Sequence, residues 1–151
     1  MTIFCDTNII MEYLQQRKQA EQVGRILSYT VQKGDDLFIS LGSFYTITYL
    51  LEIYLKKDFS FSKEERSERL RYILNGVLTM FKLADASSDG MKDGINDFLF
   101  DDLEDSYQAH TALDMNCDIL LTINERHFRK FNEVSSVEVI TPQEFIDTYL
   151  K

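Results

Sequence analysis

The stretch that most restricts the fold is Ile3-Phe4-Cys5 followed at once by Asp6-Thr7-Asn8. The short apolar run stops on a carboxylate. The residues after it carry apolar side chains at Ile9, Ile10, Tyr13 and Leu14, which is helical spacing. A strand that ends on Asp and turns directly into a helix puts that Asp at the carboxyl edge of a parallel sheet, where open α/β sheets bind their ligands. Asp6, Thr7 and Asn8 offer acid, hydroxyl and amide at one corner, oxygen chemistry suited to a hard metal ion. The plainer alternative is that Asp6 or Thr7 only caps the helix, since both are good N-cap residues.

The alternation continues along the chain. Lys18 to Lys33 is helical, with Ala20, Val23, Ile26, Leu27 and Val31 on one stripe, and Gly34-Asp35-Asp36 ends it in a turn. Leu37 to Ser40 is a second strand, and Gly42-Ser43 opens a helix running to Leu55. Ser62 and Glu65 form a capping box before a further helix. Phe81 to Ala84 reads as a strand, Ser87 or Ser88 caps a brief helix to Ile95, and Ser106 to Asn116 is helical. Asp118 to Thr122 and Val137 to Ile140 are the last strands. Thr141, Pro142 and Glu144 then start the final helix as N-cap, N1 and N3. Strands alternating with helices give a parallel α/β sheet covered on both faces.

A chain of 151 residues with 44% hydrophobic residues suits one domain, residues 1–151, with a sizeable core. No apolar run is long enough to span a bilayer, and the first residues lack a basic, then apolar, leader pattern. The expected location is the cytoplasm, without membrane contact. Cys5 and Cys117 each lie in or beside an apolar run and read as buried, reduced thiols. With His110 and His127 they have no zinc spacing. A net charge of −9 argues against a broad basic face for nucleic acid. It leaves room for an acidic site that meets phosphate through a metal, and it makes a basic partner plausible.

Three polar clusters fall at strand ends or helix starts: Asp6 with Asn8, Asp102 to Asp105, and Thr122 with Asn124. In a right-handed parallel sheet these lie on one edge. Clustered carboxylates without a Cys or His set favour Mg²⁺ or Mn²⁺, and the matching chemistry is phosphodiester hydrolysis. Each cluster has its own bland alternative. Asp102-Leu103-Glu104-Asp105 is also a capped, dipole-matched helix start, and Thr122 and Asn124 are also turn residues. Their joint occurrence is what favours function.

On these motifs the chain resembles the PIN domain superfamily, and within it the VapC-type toxin endoribonucleases. Phe4 to Ile10 is similar to the family's opening motif, whose Asp is a metal ligand and whose Asn supports the site. Asp102 to Gln108 is similar to its acidic helix start, with Asp105 as the expected ligand. Cys117 to Asn124, followed by His127-Phe128, is similar to the fourth-strand motif, and Val139 to Phe145 to the closing strand and helix. The resemblance implies a three-layer α/β/α fold with a mostly parallel five-stranded sheet. It implies an Mg²⁺- or Mn²⁺-dependent ribonuclease acting on single-stranded RNA, an antitoxin partner and a homodimer. Asp6, Asp105 and Glu104 are the implied metal ligands and Asn124 the third site residue, with Thr7, Asn8, Asp102, Thr122 and His127 in support.

The sequence departs from the family at two places. Thr46 stands where many PIN nucleases have Glu, and the nearest carboxylate, Glu52, is about 240° round the helix from it. Asn124 replaces the common late Asp, and His127 stands where relatives often have Asp before Phe128. A single-metal site with modest activity is therefore expected, and a worn PIN scaffold acting as an RNA- or protein-binding module is the alternative. Tyr45, Tyr107, Lys56, Lys57, Arg126 and Arg129 are candidate RNA contacts through stacking and charge.

Overall fold

The first strand, β1 (Thr2–Cys5), alternates its side chains between two apolar environments, as a strand covered on both faces must. Ile3 and Cys5 enter one core while Phe4 enters the other. The computed structural model describes all residues, 1–151.

Four further strands, β2 (Asp36–Ser40), β3 (Lys82–Ala84), β4 (Ile119–Leu121) and β5 (Glu138–Ile140), join β1 in one five-stranded sheet of order β3-β2-β1-β4-β5. Every pairing is parallel. The fold is the three-layer α/β/α arrangement. Helices α1 (Thr7–Leu14), α2 (Ala20–Lys33), α3 (Leu41–Lys56), α4 (Lys63–Met80) and α8 (Pro142–Tyr149) contribute to the larger core, with Ile9, Ile26, Ile47 and Phe145 fully buried. On the other face α6 (Leu103–Asp114) and α7 (Arg129–Val134) contribute Ala109, Ala112 and Phe131. The short α5 (Ser88–Ile95) lies against α6, where Ser106 donates to the Gly94 carbonyl at 2.7 Å.

The capping chemistry is as the sequence predicts. Ser62 with Glu65 and Thr141 with Glu144 form complete capping boxes, Pro142 occupies the first turn of α8, and Gly34 closes α2 with a left-handed φ of 74°. Ser87, not Ser88, caps α5. The sequence reading left out α7 and the 3-10 turn Glu125–Phe128 before it. Both are too short to show a helical period, and they form because Phe128 and Phe131 anchor them in the smaller core.

The strand order reverses beside β1, whose neighbours are β2 on one side and β4 on the other. That is the topological switch point, where a crevice opens beyond the strand ends. Cys5 pairs with Leu121, so the next residues, Asp6 and Thr122, emerge side by side into it.

Candidate active site

Asp6 leaves β1 with extended backbone and serves as N-cap of α1, its Oδ1 accepting the Thr7 N–H at 2.8 Å. Capping is therefore part of its role but occupies only one oxygen. The other, Oδ2, accepts the Thr122 hydroxyl at 2.9 Å. Thr122 in turn accepts the Asn124 N–H at 3.0 Å, which folds the end of β4 over the acid. Asn124 precedes the 3-10 turn without committing its side chain to a cap.

The third cluster arrives on α6. Asp102 is the N-cap, its Oδ1 accepting the Glu104 and Asp105 amides at 2.8 and 3.2 Å. Asp102 thus orients the first turn. Asp105 is half-buried and bonds His127 Nδ1 at 2.9 Å. That pair is the one feature of His127 that the sequence did not indicate: the ring meets a carboxylate rather than standing alone on the surface.

The charges of Asp105 and Glu104 reach Asp6. Asp6, 5% exposed, is pushed up to about 6. Burial is the main cause; the Thr122 hydrogen bond opposes the shift, the Asp105 charge adds to it, the Thr7 amide opposes it, and Glu104 adds a last increment. Asp105 is held above its ordinary value by burial and then by Asp102, against the pull of His127. No Lys or Arg forms an ion pair with either acid. Asp6 and Asp105, far apart in sequence, therefore share one electrostatic environment at the sheet edge.

Three expected residues lie differently with respect to the acids. Glu104 is exposed on the first turn of α6, and its charge raises the Asp6 carboxyl; no three acidic, His or Cys side chains stand at metal-ligand spacing. Lys56 and Lys57 sit at the far end of α3, roughly 20 Å along the helix from Ser43 at about 1.5 Å per residue. They are distant from the acids. Arg126 and Arg129, by contrast, line a polar cavity of about 370 Å³ together with Asp105, His127 and Lys130. Thr46 donates its hydroxyl to the Gly42 carbonyl of its own helix at 3.1 Å. Asn8 lies half-buried in the first turn of α1.

Sequence reasoning missed the polar network beneath the acids. Gln108 Nε2 donates to Thr7 Oγ1 at 2.9 Å and also to Ser43 Oγ. Thr7 and Ser43 hydroxyls meet at 2.7 Å, and Ser40 donates to Ser43 at 2.9 Å. Thr7, Ser43 and Gln108 are all buried. The network ties the starts of α1 and α3 to α6, one turn beyond Asp105. The available signal was the i to i+3 spacing of Asp105 and Gln108, which puts both on one helix face. The two cysteines are free and buried, and burial raises both thiols, Cys117 to about 11, so neither is a reactive thiolate.

A parallel sheet with an acidic, partly buried corner at its switch point defines an α/β protein whose polar site lies at the carboxyl edge of the sheet. The PIN domain family matches residues 2–126, and the chain belongs to that family. Its fold is similar to that in the crystal structure of VapBC2 from Rickettsia felis bound to a DNA fragment from their promoter. That match has 18% identity and a TM-score of 0.60, covering 93% of this chain and 98% of that one. No curated protein sequence matches the chain.

Proposed function

We propose that the protein is a metal-dependent endoribonuclease of the VapC toxin type, hydrolysing phosphodiester bonds in single-stranded RNA. The observation that carries this reading is the convergence of Asp6 and Asp105 at the switch point, the Asp105 charge raising the Asp6 carboxyl and neither acid matched by Lys or Arg. PIN domains are generally nucleases that use divalent ions, which makes the reading consistent with the family.

The donor set fits one Mg²⁺ or Mn²⁺ held through Asp6 and Asp105, with Glu104 on the same first turn of α6 as a further ligand. A hard ion of this kind keeps several of its waters when few carboxylates bind it. When bound it would supply an activated water and charge stabilisation at the phosphate. The chain's own residues do the rest. Thr122 and the Thr7 amide fix both oxygens of Asp6, so the carboxylate meets its ligand preorganised. His127 does the same for Asp105. Asn124 presents an uncommitted amide beside Thr122 that can bind a phosphate oxygen. Arg126, Arg129 and Lys130 hold the strand on the Asp105 side.

An antitoxin is the proposed protein partner. An apolar groove of about 430 Å³ between α1, α2 and α4, bordered by Ile10, Tyr13, Leu14 and Tyr72, offers it a seat. A homodimer is proposed through the exposed aromatic residues of α3, Tyr49 and Tyr54 among them. No helix is long and apolar enough to cross a membrane, in keeping with a proposed cytoplasmic site of action.

The test is cleavage of RNA in Mn²⁺ by wild type, Asp6→Asn and Asp105→Asn. The wild type should cut and both variants should lose cleavage; unchanged cutting in either rejects the assignment. The lack of three acidic, His or Cys side chains at metal-ligand spacing and the neutral Thr46 favour a second reading, a binding module on the same scaffold. It predicts no cutting and no shift of the thermal melt by Mn²⁺.

A further inference from the structure

Beside the acids, on the side away from His127, a cavity of about 340 Å³ opens between the start of α3, the end of β3 and α6. Its size falls within the range of small-ligand sites. Glu104 borders it, so it is continuous with the acidic corner, and Gly42 and Ala84 keep its walls low. Tyr45 and Tyr107 line it from two helices; Tyr45 is 70% exposed. An exposed ring at the mouth of a cavity is a stacking surface for a flat heterocycle.

Gln108 is the second observation. It is 4% exposed, and both of its hydrogen bonds leave from Nε2. Its Oε1 has no donor in the protein, although a buried amide ordinarily satisfies both ends. Asp35 Oδ2 is the single enclosed side-chain atom without a partner. Gln108 Oε1 is therefore not enclosed, and Gln108 lines this cavity.

The hydroxyls around it are also turned to one polarity. Ser40 spends its hydrogen on Ser43, Thr46 on the Gly42 carbonyl and Thr111 on the Tyr107 carbonyl. Each leaves only lone pairs for a ligand. Asp85 and Glu104 add acceptors at the rim. Apart from the two phenols, the side-chain polar atoms lining the cavity accept rather than donate.

We propose that this cavity binds a nucleobase flanking the cut and selects one with an amine at purine C6 or pyrimidine C4, adenine or cytosine, over guanine and uracil, which carry a carbonyl at that position. This rests on the nuclease reading for its place beside the cut. Adenine N6 and cytosine N4 donate where guanine O6 and uracil O4 would face acceptors. The base stacks on Tyr45 and gives its amine to Gln108 Oε1. A mismatch of this kind leaves lone pairs opposed and costs about tenfold in discrimination.

Two experiments test it. The first sequences the ends made from a randomised single-stranded RNA in Mn²⁺. Wild type should enrich adenine and cytosine about tenfold at one position next to the cut. Tyr45→Ala and the pocket-filling Gly42→Phe should flatten that preference, lowering cleavage beside adenine and cytosine to the level beside the other bases. A Cβ at Gly42 meets only Ser40 Oγ, at 3.8 Å, so the backbone there has room for a side chain. The second needs no cleavage: amide NMR shifts on titration with AMP, CMP, GMP and UMP, without metal. AMP and CMP should move Tyr45, Thr46 and Gln108; GMP and UMP should not; Tyr45→Ala should abolish the response. Equal response to UMP, or none to any nucleotide, overturns the proposal. Base-selective shifts without RNA cutting would leave the pocket standing and reject the nuclease.

Discussion

Replacing Asp6 by Asn should make the protein more stable and inactive at once. The Asp6 carboxyl rises from an ordinary 3.8 to about 6 on folding, chiefly by burial. The native state therefore holds the proton more tightly than the unfolded chain does. The contribution of Asp6 to stability is greatest below about pH 3.8, falls as pH rises to about 6, and carries the whole penalty above that. At about 1.4 kcal/mol per pH unit between the two values, the ionised acid costs the fold about 3 kcal/mol at neutral pH. Asn removes the charge and remains a good cap, with its Oδ1 still accepting the Thr7 amide. Its Nδ2 then faces Thr122 Oγ1, and the Thr122 hydroxyl loses its acceptor, at roughly 1 kcal/mol. The expected net gain is about 2 kcal/mol, or about 4–8 °C in Tm for a chain of this size. Urea unfolding of both proteins at pH 4 and pH 7, without metal, is the assay. The gain should be present at pH 7 and vanish at pH 4. A variant less stable at pH 7, or equally stabilised at both pH values, refutes the claim that Asp6 is a charge held against its burial cost.

Removing the imidazole with His127→Ala should raise the Asp105 carboxyl further, because His127 is the group holding it down. The acid limb of Mn²⁺ binding, followed by calorimetry across pH, then moves to higher pH; an unmoved limb separates His127 from the site. Gly90→Ala should cost about 1–2 kcal/mol, because a Cβ there would lie 2.1 Å from Asp114 Oδ2, which also holds Ser87. The loss should shrink in an Asp114→Ala background if that contact is its cause. Leu120→Ala, fully buried beside Phe4, should lose about 2–5 kcal/mol in denaturant unfolding. Gln16 holds a φ of 50°, so Gln16→Gly should raise stability by up to about 1 kcal/mol.

Much of this architecture is written locally. The Ile3-Phe4-Cys5 run, the caps at Ser62 and Thr141, and the stripes of α2 and α8 report their elements because period and capping act over a few residues. The parallel sheet follows from the alternation of those elements, and Asp6 at a strand end follows from the first six residues. What lay beyond the sequence depends on which neighbours the fold supplies. A string of residues does not say that Thr122 will meet Asp6, that His127 will meet Asp105, or that Lys56 will end a helix length away. Strand order decides these, by bringing β4 beside β1 and setting α3 to point outward from the switch point. The same holds for Gln108. Its residue type is ordinary, and only close packing of three helix starts commits one end of its amide inward and leaves the other facing a cavity. Local chemistry thus determined the elements and their ends; long-range packing decided which side chains share a dielectric, and with it how far Asp6 and Asp105 are raised above their ordinary values.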